Sequence, residues 1–379
     1  MLVYFSIIFF CYYFLVLVLL HGWSKRGIHK VRQASASSPL FISVVIAVRN
    51  EAKNISRLMS ALEAQSFPKE HFEVIVIDDK SDDDTAEIIR KFKLTTTMNL
   101  QLASIDNNIR GCSTPKKAAL STGIARARGS IIATTDGDCW MGHDWLKALE
   151  SGFQHPKTMF VSGPVAIRQG GNLFSRTQTL EFSSLMGSGA ALIQLNYPLM
   201  CNGANLAFRK DAFEAVGGYD GVAQHASGDD VFLMQKIHAK YSRSIAFVKD
   251  VAAIVFTNPA RTLRELLMQR RRWASKWNTS ALPLSWTLPV FLFVHYLSFL
   301  AALALPAIIP GLVWYATLFI LIKFIIDFLF LKKVMKFCNL QMRTGVFLAS
   351  EMVYPIYALI IGVMVHFGSW TWKGRKHKT

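Results

Sequence analysis

Residues 2–20 carry no charged side chain, and the run is about long enough to cross the hydrocarbon core of a bilayer as a helix. The basic group Lys25, Arg26, Lys30 and Arg32 follows it. A cleavable signal peptide would place its positive charge before the apolar run and a small-residue cleavage site after it. Neither is present, so residues 1–22 are expected to form an uncleaved transmembrane anchor. By the positive-inside rule the N-terminus then lies outside and the central region in the cytoplasm. At the other end, residues 286–331 are apolar for long enough to cross twice, with Pro306, Pro310 and Gly311 at the reversal. Residues 346–368 are long enough to cross once more. Lys332, Lys333, Lys336 and Arg343 between these stretches suit a cytoplasmic loop. Three C-terminal crossings would put the basic tail 371–379 outside, against the same rule. Glu351 and Pro355 make the last stretch the one best suited to an interfacial or re-entrant course. The expected membrane region is 284–370, with two or three crossings, and three or four in the whole chain.

Composition agrees with a membrane protein. Of 379 residues, 52% are hydrophobic, and the mean hydropathy is +0.29, high for a soluble chain. The formal net charge is +17, but many of the basic residues flank apolar segments, where anionic headgroups attract them. Nucleic acid is therefore not an expected partner. The cysteines, Cys11, Cys112, Cys139, Cys201 and Cys338, show no CxxC spacing; isolated thiols fit a reducing compartment.

The central region, about 40–280, changes character. "FISVVIAV" (41–48) and "FEVIVIDD" (72–79) are buried-type strands, and "LQLASI" and "SIIATT" (130–135) are two more. Between them run segments of helical period, such as Ile55, Leu58, Met59 and Leu62. Strands alternating with helices predict a parallel, doubly wound α/β sheet, whose ligands bind beyond the carboxyl ends of the strands.

Those ends are polar. Arg49, Asn50 and Glu51 follow the first strand, Asp78 and Asp79 the second, Asp136 and Asp138 the fourth. Asp78-Asp79 taken alone suits a turn or cap as well as a site, and Asp82, Asp83 and Asp84 suit a helix N-terminus. Recurrence along one predicted rim favours a site. In extended backbone, residues two apart point to one side, so Asp136 and Asp138 are expected to face a single cation, with Gly137 allowing close approach. Hard oxygen ligands suit Mg²⁺ or Mn²⁺, which keep waters and share a substrate's phosphates. Neither a P-loop nor a GxGxxG is present. His143 and His225 lack the clustering of a zinc site.

"SVVIAVRNE", "VIVIDDKSDDDT", "KKAALSTGIARARG", "TDGDC", "NGANLAFRKDAFEAVGGYD", "GDDVFLMQKI" and "QRRRW" stand in the order seen in family 2 glycosyltransferases. The chain resembles the membrane-bound members of that family, the branch of the cellulose, hyaluronan and chitin synthases and the ceramide glucosyltransferases. The resemblance covers about 40–280 and implies a GT-A fold, an inverting mechanism and a nucleotide-sugar donor, usually a UDP-sugar. It implies that Glu51 and Asp79, with Asp78 beside them, hold the nucleoside end, and that Lys116 or Lys117 lies near the donor phosphates. Asp136 and Asp138 match the metal-binding DxD, and Asp230 of "GDD" the catalytic base. Asp229 would orient its loop or meet the acceptor. Gln269, Arg272 and Trp273 match QxxRW; spaced i, i+3, i+4 they share one helix face, suited to a diphosphate and an acceptor sugar. Arg270 and Arg271 suit a basic, lipid-facing side of that helix. This sequence has "GDD" without the family's usual threonine and glutamate.

The expected function is transfer of one sugar to a lipid-linked or glycan acceptor at the cytoplasmic face of a cell inner membrane. The few crossings favour single transfer over processive polymer synthesis. A catalytically inactive sugar-nucleotide binder would be expected to lack some of these acids. A transporter would place its polar site in the spans, where little stands out beyond Lys323, Asp327 and Glu351.

Overall fold

The computed structural model describes residues 2–25, 39–106, 114–221, 228–275, 282–365, 369–372 and 375–378. In chain order the elements are α1 (Leu2–Ser24), β1 (Ile42–Val48), α2 (Ile55–Glu63), β2 (Phe72–Asp78), α3 (Thr85–Lys93), β3 (Asn99–Ser104), α4 (Pro115–Arg126), β4 (Ile131–Thr134), β5 (Trp140–Met141) and α5 (Trp145–Ser151). There follow β6 (Phe160–Ser162), β7 (Val165–Ile167), α6 (Leu173–Gln194), β8 (Leu206–Arg209), α7 (Lys210–Ala215), α8 (Asp229–Lys240), β9 (Ile245–Phe247) and β10 (Val255–Thr257). Last come α9 (Leu263–Ala274), α10 (Leu284–Ala304), α11 (Val313–Phe337), α12 (Thr344–Met364) and the hairpin strands β11 (Ser369–Trp372) and β12 (Arg375–Lys378). They form two compact units: Arg26–Arg168 with Leu192–Asn258, and Met1–Lys25 with Gln169–Ala191 and Pro259–Thr379.

The first unit is built on a seven-stranded sheet, ordered β3-β2-β1-β4-β8-β6-β9. The first four strands are parallel, as their apolar runs and intervening helices require. Val44, Val45 and Ile46 of β1 are wholly buried, each contributing about 1.5–3 kcal/mol of apolar burial. Beyond β4 the sheet departs from the expected all-parallel form: β8 runs antiparallel to both β4 and β6. An antiparallel neighbour needs no crossover helix, so this half carries shorter strands whose sequences lack long β-branched runs. A second sheet, β5-β10-β7, brings Trp140 opposite Phe256 and Ile167 opposite Thr257.

Among the described residues of the second unit, four helices are long and apolar enough to cross a membrane by length and composition: Leu2–Ser24, Leu284–Ala307, Pro310–Phe337 and Thr344–Met364. Helix α1 packs on α10 and α11, and α12 on α9 and α10. Within this bundle Lys323 and Asp327 of α11 meet at 2.8 Å, and Lys323 also pairs with Glu351 of α12. Tyr12 of α1 donates to both oxygens of Asp327 at 3.0 and 2.9 Å, while its ring stacks on His295 of α10 at 3.9 Å. Helix α12 runs unbroken through Pro355.

Candidate active site

Because β1, β2 and β4 are parallel and in register, their carboxyl ends share one rim, with Val48 opposite Asp78. Arg49 donates to the carbonyls of Asp79 and Lys80 at 2.7 and 2.8 Å and meets Asp82 at 3.0 Å, closing the loop after β2. Glu51 is 7% exposed. Its N–H donates to Thr85 Oγ1 at 2.7 Å, and its carboxylate accepts from Asn54 Nδ2 at 2.8 Å. Asp79 is buried as well. Asp78 serves the turn: its carboxylate accepts from the Ser81 hydroxyl at 2.5 Å and the Ser81 N–H at 3.3 Å. Asp83 accepts from the N–H groups of Ala52 and Thr85 at 3.1 Å each, at the start of α3, where an acid also suits the dipole.

The DxD segment is not extended as expected. Strand β4 ends at Thr134, and the Cys139 N–H donates to the Asp136 carbonyl at 3.1 Å, closing a turn over 136–139. Asp136 and Asp138 therefore leave a turn rather than a pleat. Gly137 sits hard against the first strand's end: a Cβ there would stand 2.9 Å from Glu51 Cγ and 3.2 Å from Val48 Cγ1. The glycine is needed for close approach, and it ties the DxD turn to Glu51.

Lys116, at the start of α4, reaches Asp136 at 3.0 Å and Asp229 at 3.4 Å. Burial opposes its charge, but Asp136, Asp229 and Asp230 outweigh that and raise its pKa. Two carboxylates thus pair with one ammonium, with Asp230 beside Asp229 at the start of α8, so formal charge leaves the cluster negative. Asp229 and Asp230 open α8 behind Gly228, whose φ of 93° is left-handed. Asp230 accepts from the N–H of Gly203 at 3.0 Å and of Val231 at 2.8 Å. The Gly203 carbonyl accepts from Thr134 Oγ1 at 2.8 Å, linking the base candidate to the end of β4. Lys117, the alternative to Lys116, is 1% exposed, its ammonium 5.6 Å from the centre of the Phe232 ring.

Asp138 accepts from Thr257 Oγ1 at 3.4 Å, and its carbonyl accepts from Arg57 at 3.3 Å. Arg57 lies 3.6 Å above the Trp140 ring, which stacks on Phe256. Cys139, buried beside Asp138 and Asp136, has its thiol pKa pushed well up, first by burial and then by those charges. Among the described residues no group of three or more His, Cys, Asp or Glu is placed to hold a metal alone. The donor set nonetheless fits a hard divalent ion: two part-exposed carboxylates in a negative cluster, leaving other positions to water and phosphate oxygens.

In the other unit, Gln269, Arg272 and Trp273 lie on α9 and are each partly exposed. Arg270 and Arg271, expected to face lipid, are instead 4% and 6% exposed. Burial became possible for Arg270 because Glu181 of α6 accepts two hydrogen bonds from it, both at 2.9 Å. Motif reasoning passed over Glu181; its signal was an acid standing alone in the apolar stretch "LEFSSLMGSGAAL". Asn205 of "NGAN" was passed over too. Wholly buried, it accepts from Trp145 Nε1 at 2.9 Å and donates to the carbonyls of Pro164 and Ala253, each at 2.7 Å. His143 is an exposed loop residue bonded to the Ala64 carbonyl, and His225 lies outside the described residues.

Residues 43–217 match the family model "Glycosyl transferase family 2", and residues 131–367 match "Glycosyl transferase family group 2". The chain is 32% identical over 235 residues to glycosyltransferase AglE of Haloferax volcanii, a match covering 61% of this chain and 71% of that protein. It is 27% identical over 235 residues to a poly-beta-1,6-N-acetyl-D-glucosamine synthase of Staphylococcus epidermidis, covering 62% of this chain but 53% of the synthase. In fold it is similar to the mannosyltransferase PcManGT from Pyrobaculum calidifontis, solved with GDP-Man and Mn²⁺; the TM-score is 0.57 at 20% identity, over 94% of this chain and 99% of that one. A family model that spans more than half of the chain, together with an α/β core of the GT-A type and four apolar helices, makes this protein a member of the family 2 glycosyltransferases.

Proposed function

We propose that this protein transfers a sugar, with inversion, from a nucleotide-sugar to a lipid-linked or glycan acceptor at the cytoplasmic face of a membrane, with a UDP-sugar as donor. The observation that supports this most is the gathering of Asp136, Asp229 and Asp230 around Lys116. In the reaction the acceptor oxygen forms a bond to the anomeric carbon as the bond to the diphosphate oxygen breaks. The leaving nucleoside diphosphate takes the electron pair, and the acceptor's proton passes to Asp230. Two backbone N–H groups aim that carboxylate, and its remaining lone pairs are enough for one proton. Glu51 and Asp79 would receive the nucleoside end, with Asp78 shaping the turn beside them. Lys116 supplies positive charge near the phosphates; Lys117, buried by the Phe232 ring, is the other basic residue at the start of that helix. Asp136 and Asp138 would hold Mg²⁺ or Mn²⁺, which when bound offsets charge on the diphosphate. Asp229 would keep Lys116 in place, and Gln269, Arg272 and Trp273 would serve acceptor and diphosphate.

Membranes containing the chain, given radiolabelled UDP-glucose, UDP-N-acetylglucosamine or GDP-mannose, are expected to yield a labelled product carrying one added sugar. The likeness to a polysaccharide synthase supports a second reading, processive synthesis; a product that lengthens without release would favour it. Transfer that survives both Asp136→Ala and Asp230→Ala would overturn the assignment of the site.

Gly137→Ala should weaken donor binding. The added methyl must displace Glu51 Cγ or Val48, an overpacking that costs about 1–3 kcal/mol. Titration with UDP should show weaker binding than wild type, and thermal unfolding a lower midpoint.

A further inference from the structure

Helix α9 carries two kinds of residue. Gln269, Arg272 and Trp273 are partly exposed, whereas Arg270 between them is buried. Its guanidinium makes four contacts with defined geometry. Nε and Nη2 each donate to Glu181, at 2.9 Å. Nη1 donates to the Gln269 side-chain oxygen. The flat face lies 4.2 Å from the centre of the Trp273 ring, which also leans on Phe182 of α6 at 5.8 Å. Tyr357 of α12 adds a hydrogen bond to Glu181 at 3.2 Å.

A guanidinium can only donate. The Gln269 amide must therefore turn its oxygen toward Arg270, which leaves the NH₂ group to face away. We propose that Glu181 is a positioning residue: by fixing Arg270 it sets the Gln269 amide so that its NH₂ donates to a substrate oxygen, and it fixes the Trp273 ring beside it. This rests on the reading that α9 meets substrate. The substrate group selected is an acceptor of hydrogen bonds, such as a phosphate or sugar oxygen. Glu181 acts through Arg270 and touches no reacting atom.

A charge swap distinguishes positioning from simple structural pairing. In Glu181→Arg/Arg270→Glu the ion pair is restored with its direction reversed. A carboxylate at 270 can only accept, so the Gln269 amide would flip and present its oxygen instead. The full-length protein in membranes should then regain the thermal stability lost in Glu181→Gln, yet transfer from whichever of UDP-glucose, UDP-N-acetylglucosamine or GDP-mannose the wild type uses should stay at least roughly tenfold down in kcat. That factor corresponds to about 1.4 kcal/mol of transition-state stabilisation. Gln269→Leu, which leaves the Glu181–Arg270 pair intact, should show a similar loss of transfer, its unfolding midpoint lowered only by the one bond from Arg270 Nη1 that it removes. A swap that recovers full transfer would make the pair merely structural. Should the swapped protein fail to fold, Gln269→Leu decides alone, and undiminished transfer by that variant overturns the proposal. Absence of transfer by the wild type with all three donors would count against the functional reading instead.

Discussion

Asp230→Asn is expected to lower the rate of sugar transfer by about 10²–10⁴-fold, the usual worth of a positioned general base. The substitution is nearly isosteric, and α8 should keep its start at Gly228. What changes is the chemistry at the acceptor. The Asp230 carboxylate accepts from the Gly203 and Val231 N–H groups at 3.0 and 2.8 Å. An amide can satisfy only one of them with its oxygen, and its nitrogen cannot take the proton of an entering hydroxyl. Binding of UDP should change little, because the donor's nucleoside end is assigned to Glu51 and Asp79. Asp229→Asn gives the internal control. Asp229 holds Lys116 at 3.4 Å, so its loss should release Lys116 from its place near the diphosphate and weaken donor binding more than turnover. The measurement is kcat beside UDP affinity for both variants. A larger fall in kcat for Asp229→Asn would transfer the role of base to that residue.

How far such roles could be seen in the sequence depended on range. Local periodicity was enough for β1 to β4, because a strand covered on both faces writes itself as a continuous β-branched run, "SVVIAV" or "VIVI". Strands β6 to β10 are three or four residues each, too short for any period, and they were not foreseen. The acids at the strand ends were visible as types, but their partners were not. Nothing local says that Lys116 rather than Lys117 turns toward Asp136; one helical position, about 100° of rotation, decides it. Asp136 and Asp138 stand on a turn rather than extended backbone for a related reason: Gly137 allows a turn, and packing against Glu51 uses it. Arg270 was misjudged because a buried arginine is improbable until its acid is known, and Glu181 lies 89 positions away.

Lys323→Met is expected to destabilise the helical unit by about 3–5 kcal/mol, the cost of leaving buried charge unpaired. Lys323 is 3% exposed, and its ammonium is shared by Asp327 and Glu351. Rings of Tyr12, Phe299 and Phe324 surround it at 5.5, 5.4 and 5.7 Å. In lipid the hydrophobic effect does not draw helices together, so packing and polar contacts between them carry more of the association. This cluster joins α1, through Tyr12, to α11 and α12. Removing the lysine alone sets two carboxylates against each other in apolar surroundings. Removing all three, as Lys323→Met/Asp327→Leu/Glu351→Leu, takes the charge away with its partners and should cost less than the single change. Thermal unfolding of the detergent-solubilised protein tests the order. If the triple variant proves the less stable, the cost of the single change is not that of unpaired carboxylates, and the contacts that survive the loss of the lysine, such as Tyr12 on Asp327, tie the helices. If Lys323→Met alone matches wild type, packing such as that of Phe324 and Phe328 on Phe347 holds those helices without the lysine.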